Sequence, residues 1–244
     1  MTKLLIGGCS FTQSVKISAD KIEVTEGNSY AYKAAMGLGI DTVIDVSMSG
    51  KGNERIWRKM TKVIESGEVG KGDYIIVQYT DMERQEFWVP EHKGEEGSVF
   101  TEEADGVSGY VHHYHPWPYT DEQVSKFNMN ISREKSVDTY DFLREYTRKH
   151  YSPDWTLAQW KLRNMWFQWY LYGKGFRKVY FIRNVYNHRF LETIEPFKNN
   201  VIDVEGLSWQ DGNWVDCPGC HLSVQGHVQV GSTVTEFIKK AENI

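Results

Sequence analysis

The sequence predicts a three-layer α/β/α sandwich on a five-stranded parallel sheet, and two observations carry that expectation. Short apolar runs alternate with amphipathic stretches at about 30 residues per cycle, the rhythm of βαβ units. Several of the runs break directly into glycine-bearing turns. Such turns put polar residues at the carboxyl ends of strands, where open α/β sheets gather ligands and chemistry. A chain of 244 residues fits one large α/β domain or two small ones and can bury a full core.

Leu4, Leu5 and Ile6, flanked by Lys3, read as a short buried first strand. Gly7 and Gly8 turn the backbone into Cys9-Ser10-Phe11-Thr12, which places the Ser10 hydroxyl at the strand's carboxyl end; a serine there can equally cap the next stretch of chain. Gln13 to Thr25 is polar and turn-like. Asn28-Ser29 can cap a helix from Tyr30 to Leu38, with Tyr30, Ala34, Ala35 and Leu38 on one face and Gly39 as its stop. Asp41–Ser47 is a second strand, ending in the glycine-rich turn Met48 to Asn53. A helix then runs from Glu54 to Ser66, with Ile56, Trp57, Met60, Val63 and Ile64 as its apolar set. Tyr74–Tyr79 is the third strand.

The rhythm stops over residues 84–154, which carry Val111-His112-His113-Tyr114-His115-Pro116-Trp117-Pro118-Tyr119 and a helical pattern near Asp138–Lys149. So long an insertion is usually functional, and it reads as a cap beside the third strand's carboxyl edge. Regularity resumes with a Trp-rich helix, Trp155–Tyr172, closed by Gly173 and Gly175. Lys178–Arg183 is strand four, Arg189–Phe197 a short helix, Asn200–Val204 strand five, and Leu222 to Ala241 the closing helix.

Composition narrows the function classes. Charged residues at 25% and a mean hydropathy of −0.54 describe an ordinary folded protein. The net charge of −5, with no compensating basic stripe, argues against nucleic acid as a partner. No apolar run approaches the roughly 18 residues of a membrane span, and the amino terminus is too quickly glycine-rich for a secretory signal. Three cysteines do not make a secreted disulfide framework. A protein of the cell interior, or one associated with a virion, is the expectation.

Three turns fall at strand ends, holding Ser10, Gly50 with Asn53, and Asp216-Cys217-Pro218-Gly219-Cys220-His221. A serine hydroxyl needs a base to take its proton, and the base works better when a carboxylate fixes its tautomer; Ser10, His221 and Asp216 can play those parts. Backbone N–H groups of Ser10 and Gly50, with the Asn53 amide, can hold a developing oxyanion. His227 reads as a packing or hydrogen-bonding residue of the closing helix. His112, His113 and His115 lack a carboxylate or cysteine at fixed spacing, so they read as a solvated or substrate-facing loop rather than a metal site. Cys217 and Cys220 form a CxxC in the last loop, where a plain turn outweighs a redox or zinc half-site. Arg84 can anchor a substrate carboxylate or hold a loop carboxylate, and Trp88, Trp117 and Tyr119 can stack on a sugar or cover a core edge.

Across Thr2–Arg84 and Trp155–Ile244 this arrangement resembles the SGNH (GDSL-like) hydrolase family. Gly8-Cys9-Ser10-Phe11-Thr12 is similar to the block that carries the nucleophile. Gly50-Lys51-Gly52-Asn53-Glu54-Arg55-Ile56 is similar to the block whose glycine N–H joins the oxyanion hole. His221-Leu222-Ser223-Val224-Gln225-Gly226-His227 is similar to the final block, where the first histidine is the base. Two places depart from the pattern. Gln78-Tyr79-Thr80-Asp81 stands where a G-x-N-D is expected, so Thr80 occupies the asparagine's position. Pro218 occupies the acid's position, and Asp216 can serve only if the turn after it folds back; the fallback is a Ser–His dyad with a backbone carbonyl.

The resemblance implies a flavodoxin-like sheet and a single domain over residues 1–244. It also implies a cofactor-free serine esterase acting on a small-molecule or glycan ester. The aromatic, His-rich insertion inclines the substrate toward an O-acetylated carbohydrate, with Arg84, Trp88, His113 and Trp117 as contacts. The GCSFT block and degenerate third block also resemble variants encoded by tailed bacteriophages. The competing expectation is a catalytically impaired domain of the same shape that binds a glycan or a protein.

Overall fold

The structure is a computed structural model that describes residues 1–9, 12, 15–18, 21–24, 29–48, 52–82, 84, 85–89, 101–103, 110–114, 152–184, 187, 189–208 and 222–244. In chain order the strands are β1 (Lys3–Gly7), β2 (Val15–Ser18), β3 (Lys21–Val24), β4 (Thr42–Asp45), β5 (Tyr74–Val77), β6 (Gln85–Val89), β7 (Thr101–Glu103), β8 (Tyr110–Tyr114), β9 (Val179–Arg183) and β10 (Val201–Asp203). The helices are α1 (Tyr30–Leu38), α2 (Asn53–Glu65), α3 (Pro153–Gly173), α4 (Glu205–Ser208) and α5 (Val224–Glu242).

Five strands pair in parallel in the order β10-β9-β5-β1-β4. From β1 the chain steps outward to β4, then returns to the other side of β1 with β5 and continues through β9 to β10. That is the flavodoxin-like order, with its switch point between β1 and β5. Alternation along β1 splits the core in two. Leu4 and Ile6 join Ile76, Tyr180 and Ile182 under α1 and α5, while Leu5 joins Ile75, Val77 and Phe181 under α2 and α3. The expected three-layer sandwich is what forms.

The α1 start departs from its expected chemistry. Ser29 holds the N-cap position, but its hydroxyl makes no capping bond; His227 Nδ1, on α5, accepts from the Tyr30 N–H at 3.1 Å. Gly39 ends the helix with φ of 68°, a left-handed turn that favours glycine. The two helices approach closely at Gly231, where a Cβ would lie 2.5 Å from Lys33 Cβ and 3.1 Å from Tyr30 O.

Three other expectations change. Residues 15–24 of the supposedly turn-like stretch contain the antiparallel hairpin β2–β3, whose mixed polar strands give little sequence signal. Arg189–Phe197 is not an α-helix: a turn around Asn187 leads to extended backbone and one 3-10 turn, Glu195–Phe197. Side-chain amides of α3 replace the helical bonds there, with Asn164 Nδ2 and Gln168 Nε2 each donating to Glu192 O at 2.9 Å. Gln168 Oε1 accepts from Ile194 N–H at 2.8 Å. The insertion carries an antiparallel sheet, β6-β8-β7, while the helix expected near Asp138–Lys149 lies outside the described residues. No helix among the described residues is long and apolar enough to cross a membrane.

Gly231→Val is expected to lower the unfolding free energy by about 1–3 kcal/mol, the usual effect of overpacking, because backbone and a Cβ block the new side chain. Urea denaturation followed by circular dichroism measures it.

Candidate active site

The ends of β1, β4 and β5, from which the loops expected to carry Ser10, Gly50 and Thr80 depart, are joined by backbone hydrogen bonds. Gln78 N–H donates to Gly7 O at 2.9 Å, and Met48 N–H donates to Gly8 O at 3.1 Å. These bonds join the carboxyl ends of β1, β4 and β5 just above the switch point. Space is tight at the end of β1 and just after it: a Cβ on Gly7 would lie 2.5 Å from Met60 Sδ on α2, and one on Gly8 would overlap Thr12 Oγ1. Ser10, Gly50 and Thr80 each come two residues after one of the tied positions Gly8, Met48 and Gln78.

Ser10, Gly50, Asp216, His221 and Trp117 lie outside the described residues, as do Cys217 and Cys220. Their immediate neighbours are described. Thr12 N–H donates to Cys9 O at 3.0 Å across the two residues between them. Cys9 is fully buried, as expected of a packing residue beneath the turn. Leu222, directly after His221, is buried in the same apolar cluster as Cys9. Ser223 then caps α5, its Oγ accepting from Gly226 N–H at 3.0 Å. His227 is buried and stacks on Tyr30 in addition to capping α1, the packing role expected of it.

Thr80 is fully buried and its Oγ1 has no hydrogen-bond partner among the described residues. Its backbone is gripped by Asn53. Asn53 Oδ1 accepts from Thr80 N–H at 2.9 Å, and Asn53 Nδ2 donates to Thr80 O at 3.2 Å and Asp81 O at 3.1 Å. The amide expected to face an oxyanion is thus turned onto the third-strand loop.

Two further amides hold the preceding residue. Gln78 Nε2 donates to Tyr79 O at 3.0 Å and to Cys9 Sγ at 3.4 Å, while its Oε1 accepts from the Thr12 hydroxyl. Tyr30 OH in turn donates to Thr12 Oγ1 at 3.3 Å. Asn187, in the turn after β9, donates from Nδ2 to Ile182 O at 2.8 Å and Tyr79 O at 3.2 Å. Sequence reasoning did not single out Gln78 or Asn187 as supports. Gln78 had one signal, a polar residue directly continuing an apolar strand; Asn187 had none, because its partners are distant in sequence.

The remaining described candidates follow β5 in the chain. Arg84 is half-buried, and its carbonyl packs against Gly52, where a Cβ would lie 2.7 Å away. Trp88 is on β6 opposite Val111, and His113 is on β8 opposite Glu86. Arg58 of α2 pairs with Glu86 at 3.2 Å, so β6 is moored to the helix that comes after Gly50.

Two carboxyls nearby are lifted. At the end of β4, burial raises the Asp45 carboxyl, opposed by hydrogen bonding from Ser47 and by the Arg55 charge. Glu54, in the first turn of α2, is pushed up to about 7, first by burial and then by the neighbouring Glu86 charge, against the pull of Arg163. Arg163 Nη1 donates to Glu54 Oε1 at 2.6 Å, but Oε2 is buried without a partner among the described residues.

No family model matches the chain, and no curated protein matches it. Among solved structures, the chain is similar to the psychrotrophic esterase EstA from Pseudoalteromonas sp., in a structure inhibited by monoethylphosphonate. The TM-score is 0.49, with 7% identity over 100% of each chain. It is also similar to TesA, with a TM-score of 0.46 and 10% identity over 98% of this chain and 99% of that one. For the lipase/acylhydrolase from Enterococcus faecalis the values are 0.45 and 13% over 99% and 97%. These likenesses are loose, and the fold stands on the strand order itself.

Asn53→Leu is expected to destabilise the protein by about 1–3 kcal/mol, because it strands a buried N–H and two carbonyls; urea denaturation measures this. Glu54 makes a separate, pH-dependent contribution. Its folded value of about 7 exceeds the usual 4.5, so the native state binds more protons between these values, and its contribution to stability falls as pH rises through that window. Glu54→Gln is expected to flatten the decline, as read from unfolding midpoints between pH 5 and 8.

Proposed function

We propose that this chain is a serine esterase of the SGNH (GDSL-like) type. The observation that carries the reading is the pair of backbone bonds tying Gly7 and Gly8 to Gln78 and Met48. They tie together the carboxyl ends of β1, β4 and β5, which in the sequence shortly precede Ser10, Gly50 and Thr80. Supporting it, Cys9 and Leu222, the sequence neighbours of Ser10 and His221, belong to the same core cluster on the α1–α5 face of the sheet.

In this reading the Ser10 Oγ attacks the acyl carbon while His221 takes its proton, forming a tetrahedral oxyanion. His221 then gives the proton to the leaving alcohol, and water attacks the acyl-enzyme by the same route in reverse. Asp216 orients His221. The N–H groups of Ser10 and Gly50 stabilise the oxyanion, and the Thr80 hydroxyl is the third donor. Thr80 suits that part because its Oγ1 has no partner among the described residues while its peptide is fixed by Asn53. Asn53 is accordingly a positioning residue. The insertion acts as a cap that favours an O-acetylated carbohydrate, with Arg84, Trp88, His113 and Trp117 facing it. Deacetylation of a host surface by a bacteriophage-associated protein fits that substrate.

Ser10→Ala is expected to abolish p-nitrophenyl acetate turnover by the purified protein. Equal background rates in both proteins would instead favour the non-catalytic, glycan- or protein-binding module. Thr80→Val is expected to lower kcat about 10- to 100-fold with little change in KM or stability, the pattern of a donor used only in the transition state. Steady-state kinetics beside a thermal melt separates that from misfolding.

A further inference from the structure

The longest described helix, α3, carries large apolar side chains on two sides. Trp160, Phe167 and Leu171 face the sheet and are buried. On the opposite side Trp155, Trp166 and Trp169 remain 63%, 64% and 49% exposed, alongside exposed Ala158, Leu162 and Met165. A monomer rarely leaves so many large apolar side chains side by side in water. Positions 155, 158, 162, 165 and 169 alternate in steps of three and four, the spacing of a seam that packs against another helix.

We propose that this seam is a homodimer interface, in which α3 of one chain packs antiparallel to α3 of a second about a two-fold axis through Leu162. The stripe is complementary to itself in that arrangement, as a two-fold interface requires. Leu162 meets the partner's Leu162, Trp155 lies level with the partner's Trp169, and the small Ala158 receives the partner's Trp166. The cations beside the seam each have a carboxyl partner within the chain: Lys161 pairs with Glu192 at 2.6 Å and Arg163 with Glu54 at 2.6 Å. The three indoles alone offer roughly 400 Å² per chain. Leu162, Met165, Ala158 and the rim bring this toward the roughly 800 Å² per partner of a stable interface.

Sedimentation equilibrium of the full chain at concentrations up to about 100 µM tests this by mass action. The expected mass is twice the 28.4 kDa of one chain, falling to a single chain in Leu162→Glu and in Trp166→Glu with unchanged circular dichroism. Leu162→Cys is expected to form a covalent dimer on mild oxidation, beyond any seen in the unaltered chain. Trp166→Cys is not, because it faces Ala158 rather than itself. A wild-type chain that stays single throughout overturns the proposal. So does a dimer that survives both glutamate variants, or a single chain whose tryptophan fluorescence responds to oligosaccharides.

Discussion

The carboxyl end of β1 is the constraint on which the rest of the molecule turns. Gly7 and Gly8 have no side chains there because α2 and Thr12 occupy that space, and their carbonyls receive the N–H groups of Gln78 and Met48. A larger residue at either place pushes on α2 or on the turn, and so on the hydrogen bonds that align the three strand ends. The same two residues therefore serve packing, sheet register and the placement of the loops. The switch point between β1 and β5, the kind of place where open α/β sheets form a crevice, lies there because the chain departs in opposite directions on its two sides.

Around that crevice the polar groups are organised as supports beneath supports. Asn53, Gln78 and Asn187 direct their amides at the peptide groups of residues 79–81, and Thr12 and Tyr30 brace Gln78 from below. Each amide can donate and accept together, which suits it to gripping a loop that has no sheet partner. Buried hydrogen-bonded networks of this kind hold a backbone rigidly, since loosening one member leaves several polar groups unsatisfied.

Much of the fold was legible because its central strands are nearly continuous apolar runs and its helices carry amphipathic faces with a stop such as Gly39. Short apolar runs like YIIV and VYFI, buried on both faces, have few other uses in a chain of this composition. The β2–β3 hairpin was hidden because VKIS and KIEV mix polar and apolar residues. The stretch 189–197 misled because its helical pattern is overridden by amides of α3, more than 20 residues away in sequence. In the candidate site, glycine turns revealed where polar residues would gather. The direction of an amide was not legible: Asn53 reads equally well facing a substrate or a neighbouring loop, and only the position of Thr80 decides.

The capping of α1 by His227 reaches further than the stability of one helix. Tyr30 and His227 are 197 residues apart, so during synthesis α1 emerges long before the group that caps it and the helix that covers its apolar face. Until α5 is made, the sheet face that it shares with α1 lacks part of its cover, and the Tyr30 N–H lacks the histidine that caps it. A chain still without α5 therefore exposes apolar surface of the sheet, the kind of surface that makes incomplete chains prone to associate.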